Sequence, residues 1–175
     1  MDKSITLIGM AGAGKSTLGK MLAESLNYKF LDGDTIIEER MNQSIQNFLD
    51  KYGGREFTKI EEKVLLSINF NKTILATGGS AVLSDNAMKF IGEKSEVIFL
   101  DVTYENISKR ILNLSERGLV REQNQSLQET YNERLSLYRK YADHVVKNDG
   151  DIDSSIKELT ILIESFWIMM LYLME

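Results

Sequence analysis

The residues best suited to chemistry lie at the start of the chain, in GMAGAGKST, residues 9–17. The spacing fits G-x-x-x-x-G-K-S, a loop that curls its backbone N–H groups around phosphates. Glycines at 9, 12 and 14 permit that curl without Cβ clashes. A helix beginning near Lys15 would point its positive end at the same anion. Gly12, Ala13, Gly14, Lys15, Ser16 and Thr17 are thus the expected ATP-binding set, with Lys15 reaching the β- and γ-phosphates and Ser16 ligating Mg²⁺. A glycine-rich turn with a chance lysine is the competing reading, and the apolar run just before the loop disfavours it.

Further candidates follow in order. FLDGD, residues 30–34, places Asp32 and Asp34 at alternate positions. Asp32 could hold Mg²⁺ through water, and Asp34 could accept a proton from an attacking hydroxyl or bind the acceptor. Alternatively, Asp34 merely caps the helix that follows. ILATGGSAV, residues 74–82, ends an apolar run in Gly78 and Gly79, which allow close backbone approach to a ligand or make a plain turn. SERGLVREQNQ, residues 115–125, carries Arg117 and Arg121 and reads as a lid over a transferring phosphoryl group, or as a solvated loop. In GGREFTKIEEKVLL, residues 53–66, Arg55, Thr58 and Lys59 share a helix face that is either a ligand wall or ordinary surface. ERLSLYRKYAD, residues 133–143, gives a core stripe of Leu135, Tyr138 and Ala142, with Arg134 able to reach inward. His144, the one histidine, precedes two valines and is expected to be structural.

Five short apolar runs are expected to be buried strands: residues 4–9, 28–32, 73–78, 96–102 and 143–148. Helical spacing occupies 15–26, 45–70 with a break at Gly53 and Gly54, 85–91, 104–112 and 127–141. Strands alternating with helices imply a parallel sheet joined by right-handed crossovers, with helices on both faces. Ligands in such sheets bind at the carboxyl ends of the strands. Each candidate above lies just after a strand or on a helix that can reach that edge.

The 175 residues suffice for one α/β domain, 1–175. A net charge of -5 argues against a nucleic-acid binder. No cysteine is present, which excludes disulfides and thiolate metal sites and suits a cytoplasmic address. The N-terminal apolar run is too short for a signal peptide. The C-terminus, about 152–174, is strongly apolar, yet its clean run covers only 166–174, short of the ~20 residues a spanning helix needs. It is expected to be a terminal helix on the core of a monomer, with self-association as the alternative and a membrane anchor as the last choice.

With these residues assembled, the chain resembles the shikimate kinases, within the small nucleoside-monophosphate-kinase-like P-loop proteins. The likeness runs from residue 4 to about 150. It rests on ordered landmarks: GMAGAGKST; LDGDTIIEE, similar to the family's D-x-D; GGREFTKIEE, similar to G-E-x-x-F-R-x-x-E; ATGGSAV, similar to G-G-G-A; and ERLSLYRKYAD, similar to R-x-x-L-Y-x-x-x-A-D. The resemblance implies a three-layer α/β/α fold, with a five-stranded parallel sheet in order 2-3-1-4-5. It also implies an acceptor-binding region at about 33–62, a mobile lid at about 113–125, and ATP-dependent phosphorylation of the 3-hydroxyl of shikimate. Asp34 would bind the reacting hydroxyl as the base, Gly78 and Gly79 would offer backbone to the substrate, Arg134 would pair with the carboxylate, and Arg117 would be the lid arginine. Lys147 and Asn148 would lie near the adenine.

Three departures from the pattern bear on the substrate and the lid. The family's carboxylate-binding arginine is Thr58, the third glycine of its triplet is Ser80, and Gly118 stands where proline is usual. Losing one charged hydrogen bond of about 1.5–3 kcal/mol weakens binding by roughly tenfold to a hundredfold. Arg55 or Lys59 is the expected substitute. The alternatives are a related kinase acting on another small hydroxylated metabolite, or a non-catalytic ATP-binding protein. Asp34, Lys15 and Arg117 argue against the last.

Overall fold

The computed structural model describes residues 3–112, 120, 121 and 125–172. Five strands form one parallel sheet: β1 (Ser4–Ile8), β2 (Lys29–Asp32), β3 (Thr73–Ala76), β4 (Ser95–Asp101) and β5 (His144–Lys147). Their order is β2-β3-β1-β4-β5, as expected. Every residue of β1 is buried, because the central strand has neighbours on both edges and helices on both faces. β1 pairs with β3 through Ile5 opposite Ile74 and with β4 through Leu7 opposite Ile98. That register brings the carboxyl ends of β1 and β3 together, so the loops after Ile8 and Ala76 meet.

Helices α1 (Lys15–Leu26), α4 (Asp85–Lys94), α5 (Tyr104–Leu112) and α6 (Leu127–Tyr141) fall where the spacing puts them. Between β2 and α4, the chain forms α2 (Gly33–Met41), α3 (Ile45–Leu65) and a short 3-10 turn at Ala81–Leu83. The anticipated break in α3 is a kink: Gly53 takes φ 77° and ψ 170°, a conformation costly to residues with a Cβ, and helix resumes at once. The kink lets α3 fold a small second cluster of Ile37, Ile45, Phe48, Phe57, Val64 and Val120 beside the main core.

Helix α7 (Ile152–Tyr172) covers α1 and β5. Leu159, Ile163 and Phe166 are buried there, while Ile161 and Ile168 face outward. Among the described residues, no helix is long and apolar enough to cross a membrane. Phe166 stacks on the His144 ring, whose Nε2 lies 3.5 Å from a Glu96 carboxylate oxygen. This contact supports the structural reading of His144.

Candidate functional site

The loop after β1 wraps as its glycines allow, with Gly9, Gly12 and Gly14 all at positive φ. Lys15 opens α1 and folds back, donating from Nζ to the carbonyls of Gly9 and Met10 at 2.8 Å each. Ser16 donates its hydroxyl to Asp32 Oδ2 at 2.6 Å. A hydroxyl beside a carboxylate, at the edge of a phosphate-type loop, is a hard-oxygen pair suited to a small divalent cation. No group of three or more candidate ligands occurs among the described residues, so such an ion would complete its shell with phosphate and water oxygens.

The capping role is reassigned. Asp32, rather than Asp34, is the N-cap of α2, and its Oδ1 accepts from the backbone N–H groups of Asp34 and Thr35. Asp34 therefore sits inside the first turn of α2 rather than capping it. Its carboxylate crowds Gly78: a Cβ there would lie 2.6 Å from both Asp34 Oδ1 and Glu61 Oε1. A side chain at that position would have to displace both carboxylates.

Gly79 follows, packed against the phosphate loop; a Cβ would stand 3.1 Å from the Ala11 amide nitrogen and 3.6 Å from Arg134 Nη1. The Tyr138 hydroxyl donates to the Gly79 carbonyl at 2.6 Å. Burial raises the Tyr138 pKa far above its ordinary value, so the phenol stays a donor. Arg134 is 2 % exposed and donates from Nη2 to the Val120 carbonyl. Its Nε has no hydrogen-bond partner among the described residues. A buried guanidinium with unused donor capacity is an anion site in waiting.

These groups share one cavity of about 380 Å³, whose wall includes Lys15, Ser16, Asp32, Asp34, Gly79 and Arg134. A second cavity of about 1240 Å³ adjoins it, and Gln46, Val120 and Arg134 line both. Thr58, Arg55 and Arg121 line the second. Thr58 turns its hydroxyl back to the Gly54 carbonyl at 3.0 Å, as helical threonines often do. Lys59 lines neither cavity and pairs with Glu56 at 2.7 Å. Of the two substitutes expected for the missing arginine, only Arg55 lines either of these cavities. Arg117 and Gly118 lie outside the described residues.

On the outer side of the phosphate loop, Asn148 donates from Nδ2 to the Ala13 carbonyl at 2.6 Å and accepts from the Ser155 hydroxyl. Arg110 donates to the Gly12 and Asn148 carbonyls at 3.3 and 2.9 Å. Asn148 thus braces the loop, whereas the side chain of Lys147 is exposed. Arg110 escaped sequence reasoning because an arginine in the last turn of an amphipathic helix reads as solvated surface.

Glu61 escaped it too. It is 1 % exposed on α3, accepts the Ser80 hydroxyl on Oε2 at 2.6 Å, and has no partner for Oε1 among the described residues. Burial pushes its carboxyl up to about 7, against the pull of the Ser80 hydrogen bond; Asp34 raises it further, while Arg134 and Lys15 lower it. In the sequence it stands as the closing glutamate of the GGREFTKIEE landmark, one turn beyond Thr58, with no role of its own assigned.

A stability prediction follows. Between the ordinary value of 4.5 and about 7, the folded protein binds more protons than the unfolded chain. Stability therefore falls as pH rises through that window, and the penalty is complete above it. The full cost is about 3 kcal/mol at 1.36 kcal/mol per pKa unit. Glu61→Gln removes this slope, so urea denaturation at pH 5 and pH 8 should show the variant gaining on the parent far more at pH 8 than at pH 5. An equal difference at both pH values would mean that Glu61 titrates normally.

Comparison with known proteins gives a consistent pattern. The shikimate kinase family model matches residues 11–164. A shikimate kinase of Francisella tularensis subsp. novicida is 35 % identical over 168 residues, covering 94 % of each chain. Among solved structures, shikimate kinase from Acinetobacter baumannii in complex with shikimate is 30 % identical with a TM-score of 0.83, covering 93 % of this chain and 94 % of that one. Shikimate kinase from Bacteroides thetaiotaomicron is 28 % identical with a TM-score of 0.78, covering 93 % and 98 %.

Proposed function

The chain belongs to the shikimate kinase family, and from that premise we propose that it transfers the ATP γ-phosphoryl group to the 3-hydroxyl of shikimate through the cavity shared by Lys15, Asp34 and Arg134. One observation carries this reading. The phosphate loop and the acceptor candidates line the same cavity, so donor and acceptor would meet without a large rearrangement of the core.

In the proposed mechanism, the backbone N–H groups of residues 12–17 and the Lys15 ammonium hold the phosphates. Ser16 and Asp32 would hold Mg²⁺, which when bound neutralises charge on the phosphate oxygens. Arg134 binds the shikimate carboxylate with the donor capacity that its Val120 contact leaves unused. Gly79, fixed by the Tyr138 hydroxyl, presents its backbone to the substrate. Asp34 accepts the proton of the 3-hydroxyl as the new O–P bond forms and the bond to the ADP oxygen breaks. Arg55 is the nearer replacement for the arginine absent at position 58, since it lines the adjoining cavity with Thr58.

The test is ATP turnover by the purified protein with shikimate, quinate, gluconate or nucleoside monophosphates. ADP release stimulated by shikimate at micromolar to low millimolar concentration is expected. Stimulation only by another acceptor would overturn the choice of substrate. Tight ATP binding with no acceptor-dependent turnover would overturn the catalytic reading itself.

A further inference from the structure

Two departures from the family pattern, Thr58 and Ser80, bear on one buried group, Glu61: Ser80 reaches it and Thr58 does not. Position 58 is one helical turn before Glu61 on α3, so a long side chain there would lie beside the Glu61 carboxylate. Thr58 contributes nothing to it, because its hydroxyl is spent on the Gly54 carbonyl. Ser80 approaches from the segment after β3 and donates to Glu61 Oε2 at 2.6 Å. A glycine at position 80 could not do so. With Thr58 and glycine together, neither oxygen of this buried carboxylate would have a partner among the described residues, which is a costly arrangement.

The carboxylate also bears on the catalytic centre. Glu61 Oε1 and Asp34 Oδ1 converge on the space left by the absent side chain of Gly78. A shift of Glu61 would be felt by Asp34 through the charge interaction between the two carboxylates. The groups facing Glu61 are Asp34 on α2, Lys15 on α1, and Arg134 and Tyr138 on α6, with Ser80 from the loop.

We propose that Ser80 is a positioning residue for Asp34, acting through Glu61, and that its hydroxyl partners the Glu61 carboxylate from the β3 loop as an arginine at position 58 would from α3, a separate task from binding the substrate carboxylate. Thr58 and Ser80 are then a matched pair. The kinetic part of this inference rests on the shikimate kinase reading, whereas the Ser80–Glu61 contact does not.

The experiment is a mutant cycle in two readouts. Steady-state kinetics with shikimate compare the parent, Ser80→Ala, Ser80→Gly, Thr58→Arg and the Thr58→Arg/Ser80→Gly double variant. Loss of the hydroxyl in Ser80→Ala or Ser80→Gly is expected to lower kcat about tenfold while the KM for ATP stays within about twofold. Thr58→Arg should restore kcat far more in the Ser80→Gly background than in the parent, a non-additivity of about tenfold, within the usual range for side chains sharing one network. Independent, multiplicative effects would overturn the proposal. So would unchanged kinetics in Ser80→Ala.

The second readout needs no substrate. Carboxyl ¹³C NMR on the ligand-free protein should show the Glu61 titration moving to higher pH in Ser80→Ala, because the hydrogen bond that favours its charged form is gone. An unmoved titration overturns the contact. If the parent does not use shikimate while the titration moves, the substrate assignment fails and the Ser80–Glu61 contact stands.

Discussion

Asp34→Asn is expected to lower kcat by about 10²–10⁴-fold, the usual contribution of a positioned general base, and to leave ATP affinity unchanged. The geometry makes this substitution a clean probe. Asp32 caps α2 and accepts the Asp34 backbone N–H at 3.1 Å, so that backbone is held by a group that the substitution leaves in place. Asparagine has the same shape and fits the same space beside Gly78, but its amide cannot take up the proton of the acceptor hydroxyl. Coupled measurement of ADP release gives kcat, and calorimetric titration with a non-hydrolysable ATP analogue gives affinity. Unchanged turnover would remove Asp34 from the base role and leave it as a wall of the acceptor pocket.

Lys15→Met should be comparably severe by a different route. The Lys15 ammonium bridges the Gly9 and Met10 carbonyls within the loop meant for the phosphates, and the side chain is buried. Methionine preserves length and apolar packing but removes the charge. The transferring phosphoryl group then loses a preorganised electrostatic partner, typically worth about 10²–10³ in kcat. Two buried carbonyls also lose a donor, at about 1–3 kcal/mol each if water cannot replace it. This variant should therefore lose ATP affinity and thermal stability together, whereas Asp34→Asn should lose neither. Full activity in Lys15→Met would contradict the assignment of the loop. A drop in Tm alone, with kcat intact, would mean that the lysine serves only the loop's own structure.

Much of the fold was legible in the sequence because its signals are local. The apolar runs at 4–8 and 73–76 are too short and too β-branched for buried helices, and glycines and polar residues bound them. Asn27 and Asn42 end α1 and α2 in left-handed conformations, as asparagine allows more readily than most side chains. The phosphate loop was legible for the same reason, since the conformation, the helix start and the lysine all lie within nine residues. The kink in α3 was anticipated as a break, and the difference is that one glycine at positive φ suffices to redirect a helix whose next residues still favour helix.

The acceptor side was less legible, because its members meet only through the sheet. Asp34, Glu61, Gly78 and Arg134 come from four separate elements, and nothing in their spacing says that they converge. Glu61 illustrates the limit. In the chain it is one of three glutamates at positions 56, 61 and 62; the landmark pattern marks position 61, but only packing shows what sets it apart: Glu56 pairs with Lys59 at the surface, Glu62 accepts from Ser84, and Glu61 is enclosed. The same holds for Lys59, which shares a helix face with Arg55 on paper yet points away from both cavities at the site.

The sequence by itself determined the parallel α/β architecture and the phosphate loop, because periodicity and short-range backbone chemistry dictate both. It also placed Asp32 and Asp34 at the right strand end. Only the tertiary structure decided which aspartate caps α2, which of Arg55 and Lys59 lines the cavity beside Thr58, and which group the Ser80 hydroxyl reaches. Those choices depend on burial and on side chains distant in the chain, and a carboxylate's partner and protonation are set by its enclosure rather than by its neighbours in sequence.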